Sequence, residues 1–181
     1  MSAPLPVAPT LPAPLGPASV RAVTDADADG LIGLIGDAYA EYPGCVLDLP
    51  GVDADLVAPA SSAADRRVDW WVVLDRATPG GESAIVASVA HGPRTLEGEV
   101  ELKRLYVAAS HRRRGLATAL VGFVVARAQA LGATDVVAWS DTRFTDAHRL
   151  YEGLGFARSA FTRDLDDPSC TCEAHFRRRL T

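Results

Sequence analysis

The sequence predicts a mixed α/β domain. Three observations carry this reading: short β-rich runs recur along the chain, apolar residues at helical spacing lie between them, and Gly, Pro and Asp punctuate the joins. The order is strand, helix, hairpin, strand, helix, strand, helix and two closing strands, with strand–helix–strand crossovers in the middle and no internal repeat.

Ser19-Val20-Arg21-Ala22-Val23 alternates as a short strand does, and Thr24 with Asp27 forms a T-x-x-D signature that caps a helix through Leu31, Leu34 and Tyr39. Pro43-Gly44 ends that helix. The stretch to about Asp65 reads as a loop with one or two helical turns near Val52 to Leu56. Val68 to Leu74 and Ser83 to Ala90 are β-rich runs around a Thr78-Pro79-Gly80-Gly81 turn, which reads as an antiparallel hairpin, and Glu99 to Val107 is the next strand. Leu116, Leu120, Phe123, Val124, Ala128 and Leu131 then recur at helical spacing, with Gly132 at the stop. Asp135 to Ser140 reads as a buried strand and Asp146 to Leu154 as a short helix stopped by Gly155. Phe156 to Arg163 and Cys172 to Leu180 close the chain as two strands around a solvated Asp164-Leu165-Asp166-Asp167-Pro168 turn.

The 181 residues are 48% hydrophobic and 23% charged, which suits one globular core. The expected organisation is a disordered Pro/Ala-rich tail over residues 1–18 and a single domain over 19–181. The tail's prolines forbid a helix, and it lacks the basic and unbroken apolar regions of a secretory leader. A net charge of -5 repels phosphate polymers, so nucleic acid is not an expected partner. No apolar run approaches the roughly 18 residues that span a bilayer, so no membrane partner is expected either. Cys45, Cys170 and Cys172 cannot all pair within one chain, which points to a reduced cytoplasmic setting. Cys170-x-Cys172 lacks a second ligand pair and His91, His111, His148 and His175 are scattered, so no metal is expected.

Arg112-Arg113-Arg114-Gly115-Leu116-Ala117 stands between the Glu99–Val107 strand and the following helix. A helix start offers backbone N–H groups without intrahelical partners and about half a positive charge. Phosphate suits such an end: Gly115 admits close backbone approach, Ala117 keeps the next turn open, and the guanidiniums can neutralise a pyrophosphate. Taken alone, a solvated arginine loop with an ordinary turn glycine reads the same way. The wider segment VELKRLYVAASHRRRGLATALV, followed by WSDTRFTDAHRLYEGLGF, resembles the GNAT superfamily of N-acetyltransferases, with its Q/R-x-x-G-x-G/A signature.

The resemblance spans Val100 to Phe156 and implies a GNAT-type α/β fold, a central mixed, mostly antiparallel sheet of about six to seven strands flanked by about four helices. It implies acetyl-CoA as co-substrate. Arg112, Gly115 and Ala117 take the signature positions at the pyrophosphate, and Arg113, Arg114, Leu116 and Thr118 supply neighbouring donors. Leu105, Tyr106 and Val107 hold the pantetheine arm through main-chain hydrogen bonds, a strand-like pairing.

Acetyl transfer to an amine needs a neutral nucleophile and a proton for the departing thiolate. An amine of pKa near 10.4 is neutral about once in two thousand at pH 7, roughly 4 to 5 kcal/mol uphill, so a base or a desolvating pocket matters. Leu150 to Phe156 resembles the family's LYExLGF segment, which makes Tyr151 the candidate general acid toward the sulfur; its other reading is an aromatic anchor for the short helix. Glu101 is the candidate base, or else the partner of Lys103 two residues along the same strand face, with Glu99 in reserve. Relatives often carry asparagine seven residues before the tyrosine; this chain has Phe144. Arg143 either salt-bridges within the protein or meets a substrate carboxylate. Tyr39 and Tyr42 are candidate walls of an acceptor pocket, with Glu41 and Asp48 as attractors of a cationic amine, or these are an ordinary helix end.

The leading expectation is an N-acetyltransferase moving an acetyl group from acetyl-CoA to the primary amine of a small molecule, by direct attack in a ternary complex, since no cysteine sits beside a base in the motif region. The alternatives are acetylation of a protein N-terminus or lysine, which calls for an open peptide groove, and a non-catalytic acyl-CoA-binding module. Homodimers are common among similar proteins, and the late strands offer an edge.

Overall fold

A computed structural model describes residues 19–75, 83–92 and 98–181. The expected tail at 1–18 and the turn at 78–81 lie outside them. Ser19–Ala22 forms β1, Ala28–Ala40 α1, Pro59–Arg66 α2, Asp69–Asp75 β2, Ala84–Gly92 β3 and Glu99–Val107 β4. Leu116–Ala130 forms α3, Asp135–Asp141 β5, Thr145–Gly153 α4, Ala157–Asp164 β6 and Cys172–Arg179 β7. The seven strands make one sheet in the order β1-β2-β3-β4-β5-β7-β6, in which β4 and β5 are parallel and the other neighbours antiparallel. This is the mixed, mostly antiparallel sheet with four helices that the sequence implied.

Thr24 and Asp27 form the expected capping box, with the Thr24 N–H and hydroxyl donating to the Asp27 carboxylate at 2.7 and 2.9 Å, ahead of one 3-10 turn and then α1. One expectation is corrected. The segment before β2, read as loop, holds a 3-10 turn at Ala54–Leu56, as expected, but also the full helix α2. Pro59 sits in its first turn, pre-set for helical φ, and Arg67 ends it in the left-handed region at φ 55. Only Pro59 and Ala63 of α2 are buried, so no apolar stripe announced it.

The Trp70-Trp71-Val72-Val73 run is apolar without alternation because both faces of β2 are covered. Trp70 and Val72 join Leu31, Ile35 and Leu56 in the layer under α1, while Trp71 and Val73 join the α3 layer with Leu120, Val124 and Phe176. The buried Trp70 indole donates to the Ser88 hydroxyl at 2.7 Å, which meets the need of its one polar atom.

The sheet opens along β4. Its parallel register with β5 covers Glu99–Leu102, whereas Lys103, Tyr106 and Val107 pair with β3. Between Lys103 and Tyr106 two β4 residues oppose one β3 residue, a bulge, and Arg104 within it takes φ 50. Its guanidinium reaches Asp53 at 2.8 Å, both oxygens of Asp55 and the Val52 carbonyl at 3.3 Å, so the bulge is tied to the 52–55 loop.

Phe176 is fully buried and packs on both His148 and Tyr151. Phe176→Ala is expected to lower unfolding stability by about 3–5 kcal/mol in denaturant titration. Phe161→Ala, at a position 71% exposed, is expected to shift it by less than about 0.5 kcal/mol.

Candidate active site

Two cavities flank the free half of β4. The narrower, about 170 Å³, runs between the end of α1, the start of α3 and α4, and takes its walls from Ala38, Tyr42, Leu105, Tyr106, Val107, Ala117 and Leu150. The larger, about 500 Å³, lies between α2, the loop around Cys45–Asp55, β4, β5 and the Leu165–Thr171 segment. Leu105, Tyr106, Phe144 and Ala147 line both, so the two spaces meet at the bulge.

At the mouth of the narrower cavity φ alternates in sign: -70° at Arg112, 59° at Arg113 and 80° at Gly115, with Arg114 outside the positive-φ set. Such alternation turns successive N–H groups toward one concavity. Gly115 is the N-cap of α3, no side chain caps that end, and a Cβ on Gly115 would meet nothing within 4 Å. Arg113 and Arg114 are exposed, as are Gly115 and Thr118; Leu116 is buried in the core, and Ala117 faces the cavity. A donor-rich helix start beside an open groove fits a diphosphate, and the free edge of β4 fits an amide-bearing arm.

Arg112 is differently engaged. Its Nη atoms reach the Glu41 carboxylate at 2.6 and 2.7 Å and its Nε donates to the Val107 carbonyl at 2.9 Å. Glu41 is therefore turned toward the loop before α3. Asp48, the other acid of that stretch, accepts the Val52 N–H at 3.2 Å. Arg143 bonds Asp141 through Nε at 3.0 Å and Nη2 at 2.6 Å, so of its two readings the internal salt bridge is the one present.

Tyr39 faces the larger cavity and Tyr42 the narrower one. The Tyr39 and Tyr106 hydroxyls share a hydrogen bond of 3.3 Å. Phe144 packs between Tyr39 and Tyr42, with ring centroids 5.8 and 4.7 Å away, and so closes the wall where relatives often place asparagine. Its position escaped the sequence reading, although Phe144, Ala147 and Leu150 recur every three residues as one helix face does.

Tyr151 is 6% exposed, boxed by Phe156 and Phe176 at 5.5 and 5.4 Å, and faces the larger cavity. Burial pushes its phenol well above the ordinary tyrosine value, and burial does the same for Tyr39. Glu101 is 5% exposed, lines the same cavity and accepts from Lys103 Nζ at 3.0 Å. Glu99, the reserve, is also buried and lies 3.7 Å from Arg177, away from the cavity lining. Cys45 lines the cavity with its thiol pushed up by burial. No group of three His, Cys, Asp or Glu side chains suited to a metal ion occurs among the described residues.

A model of the acetyltransferase (GNAT) family matches residues 44–156, more than half of the chain. The chain belongs to the GNAT family. Acetyl transfer is the activity that the description of this family names. Rat N-acetyltransferase family 8 member 2 is 32% identical over 110 residues, 60% of this chain and 47% of that protein. Zebrafish N-acetylaspartate synthetase is 31% identical over 132 residues, 72% of this chain and 43% of that protein. The GNAT chain thus spans less than half the length of these curated relatives. An acetyltransferase of the family from Staphylococcus aureus shares the fold at TM-score 0.73 and 14% identity, covering 91% of this chain and 99% of its own. A phosphinothricin acetyltransferase from Sinorhizobium meliloti, solved with acetyl-CoA, does so at TM-score 0.67 and 19% identity, covering 90% and 88%. No helix among the described residues is long and apolar enough to cross a membrane.

His148 holds α4 to the end of β5, its Nε2 3.0 Å from the Asp141 carbonyl, and burial pushes its imidazole below the ordinary histidine value. The folded state therefore resists protonation that the unfolded chain accepts. Stability is expected to be full above about pH 6.5 and to fall as the pH drops below it. Thermal melts across pH 7 to about 5.5 read this slope, and His148→Gln is expected to reduce it, leaving the share of His175, whose imidazole burial also pushes down.

Proposed function

We propose that this GNAT protein transfers the acetyl group of acetyl-CoA to the primary amine of a small molecule, both substrates being bound together. The observation that carries the reading is the meeting of the two cavities at Leu105, Tyr106, Phe144 and Ala147, beside the Tyr151 phenol. The larger cavity, about 500 Å³, has the size of an ordinary small-molecule pocket. A relative named as N-acetylaspartate synthetase also supports a small acceptor. We place the activity in residues 19–181 as one domain and, with Cys45, Cys170 and Cys172 all free thiols, in a reducing cytoplasm.

Acetyl-CoA, when bound, supplies an acetyl thioester. The backbone donors from Arg113 to Thr118 hold its diphosphate, and Arg113 and Arg114 add positive charge that has no ion-pair partner among the described residues. Arg112 acts through its position: tied to Glu41, it fixes the end of α1 against that loop. The free edge of β4 at Leu105–Val107 pairs with the pantetheine amides, apart from the Val107 carbonyl that Arg112 already occupies.

Tyr151 donates its proton to the departing sulfur. Its hydroxyl makes no hydrogen bond to another described residue, and its raised pKa keeps it protonated at neutral pH. Glu101 receives the proton of the attacking amine once an anionic group of the acceptor draws Lys103 away. Cys45 plays no covalent part, since burial holds it as the thiol and Asp141 Oδ2 lies 3.9 Å from its sulfur.

Thiol release from acetyl-CoA against a panel of amines, amino acids and peptides tests the reading. Tyr151→Phe is expected to lower kcat by about 10²-fold with the dissociation constant of acetyl-CoA little changed. Equal rates in the variant and the parent would remove Tyr151 from the chemistry. Turnover is expected to rise with pH as the amine loses its proton, with no decline from Tyr151 below about pH 10. Gly115→Val, which forces a β-branched side chain to φ 80, is expected to weaken acetyl-CoA binding in calorimetry by about 10-fold or more.

A further inference from the structure

The larger cavity contains six carboxylates: Asp53, Asp55, Glu101, Asp141, Asp167 and Glu173. A count of charges alone would call it a site for a polycation. The hydrogen bonds reverse that reading, because every one of the six is engaged. Asp53 and Asp55 are bonded by Arg104, Glu101 by Lys103, Asp141 by Arg143, Glu173 by Arg163, and Asp167 by the Thr171 N–H and hydroxyl at 2.8 and 2.7 Å.

Within each ion pair the carboxylate is the deeper partner. Side-chain exposure is 6% for Glu101 against 38% for Lys103, and 16% for Glu173 against 42% for Arg163. At Glu101 and Glu173 the acid thus lies behind a cation that also lines the cavity, Lys103 and Arg163 respectively. Arg66, at the end of α2, lines the same cavity, is exposed, and makes no ion pair among the described residues. Lys103 is held from below: its aliphatic stem crosses Gly92, where an added Cβ would fall 2.6 Å from Lys103 Cε.

We propose that the acceptor is an amine that also carries a carboxylate, an amino acid in chemical class, and that Arg66 and Lys103 form its anion-binding subsite. The proposal rests on the acetyl-transfer reading and deepens it. A simple alkylammonium beside Glu101 meets Lys103 and Arg66 on the same wall and brings no anion to either. A zwitterion offers its carboxylate to Lys103 and Arg66, and the same contact takes Lys103 off Glu101, which leaves that carboxylate to the amine.

The test uses the full chain, acetyl-CoA and three acceptors of one length: a dicarboxylic amino acid, its fully amidated counterpart and an alkylamine. The parent protein is expected to prefer the dicarboxylic acceptor. Arg66→Ala is expected to raise KM for it by about 10- to 100-fold, with the KM for the alkylamine not raised and the dissociation constant of acetyl-CoA unmoved; Lys103→Met is expected to raise KM for it similarly while lowering that for the alkylamine, which then meets an unpaired Glu101. Gly92→Ala, which displaces the Lys103 stem without removing its charge, is expected to shift KM in the same direction by less. Preference for the amidated or alkyl acceptor, or an equal rise of KM for all three, would overturn the proposal while leaving acetyl transfer intact. If no acceptor is acetylated, the acetyl-transfer reading fails. Calorimetry of the dicarboxylic acceptor into protein saturated with coenzyme A then decides the subsite by itself: heat lost in Arg66→Ala supports it, and no heat in the parent rejects it.

Discussion

The departure of β4 from β5 is the constraint on which the rest of the molecule depends. Four residues of β4 run parallel to β5, and the next residues keep only their β3 partners. The strand is turned there by Arg104, a non-glycine residue in the left-handed region, a conformation that costs on the order of 1–3 kcal/mol and persists only when its surroundings over-determine it. Asp53 and Asp55 supply that determination from a loop some fifty residues earlier, through a guanidinium 15% exposed. Had β4 continued its ladder to Val107, its outer edge would be consumed by β5 and both cavities would be closed. Strain in one residue thus creates the free edge, and an ion-pair cluster holds it.

The three arginines before α3 divide their work. Arg112 is paired with Glu41 and fastened to Val107, so its charge is compensated before any ligand arrives. Attraction for a diphosphate then falls to the helix start and to the exposed Arg113 and Arg114. In exchange, the Arg112–Glu41 pair spans from the loop before α3 to the end of α1, close to Tyr42 and its contact with Phe144. The end of α1 walls one cavity through Tyr42 and the other through Tyr39, so this bridge mechanically joins the walls of the two substrates' spaces.

How much of this was legible in the sequence depends on how local each feature is. The candidate coenzyme-binding segment from Leu105 to Thr118 is one uninterrupted stretch of strand, turn and helix start, and its glycine and arginines announce themselves. The ion pairs of Glu101 with Lys103, by strand parity, and of Arg143 within the protein were each one of two stated alternatives. The acceptor cavity was illegible because it is assembled from α2, two loops and two strands that only the tertiary fold brings together. α2 itself was missed because it buries little apolar surface and so has no periodic stripe to read. The two readings of Glu41, substrate attractor or ordinary helix end, could not be separated for a related reason: its arginine partner lies 71 residues away, beyond any local pattern.

The larger cavity is chemically two-sided, and the sides suit different halves of one reaction. Around Tyr151 the neighbours are Phe156 and Phe176, an environment of low polarizability that penalises a phenolate and keeps the proton on oxygen. Around Glu101 the neighbours are Lys103 and, farther along the wall, Arg66. The fold separates the two groups onto α4 and β4, with aromatic rings behind one and ammonium charge beside the other. The same separation gives the cavity a direction, an aromatic end at Tyr151 and an ion-lined end at Glu101; under the proposed reaction the thioester lies at the first and the acceptor at the second.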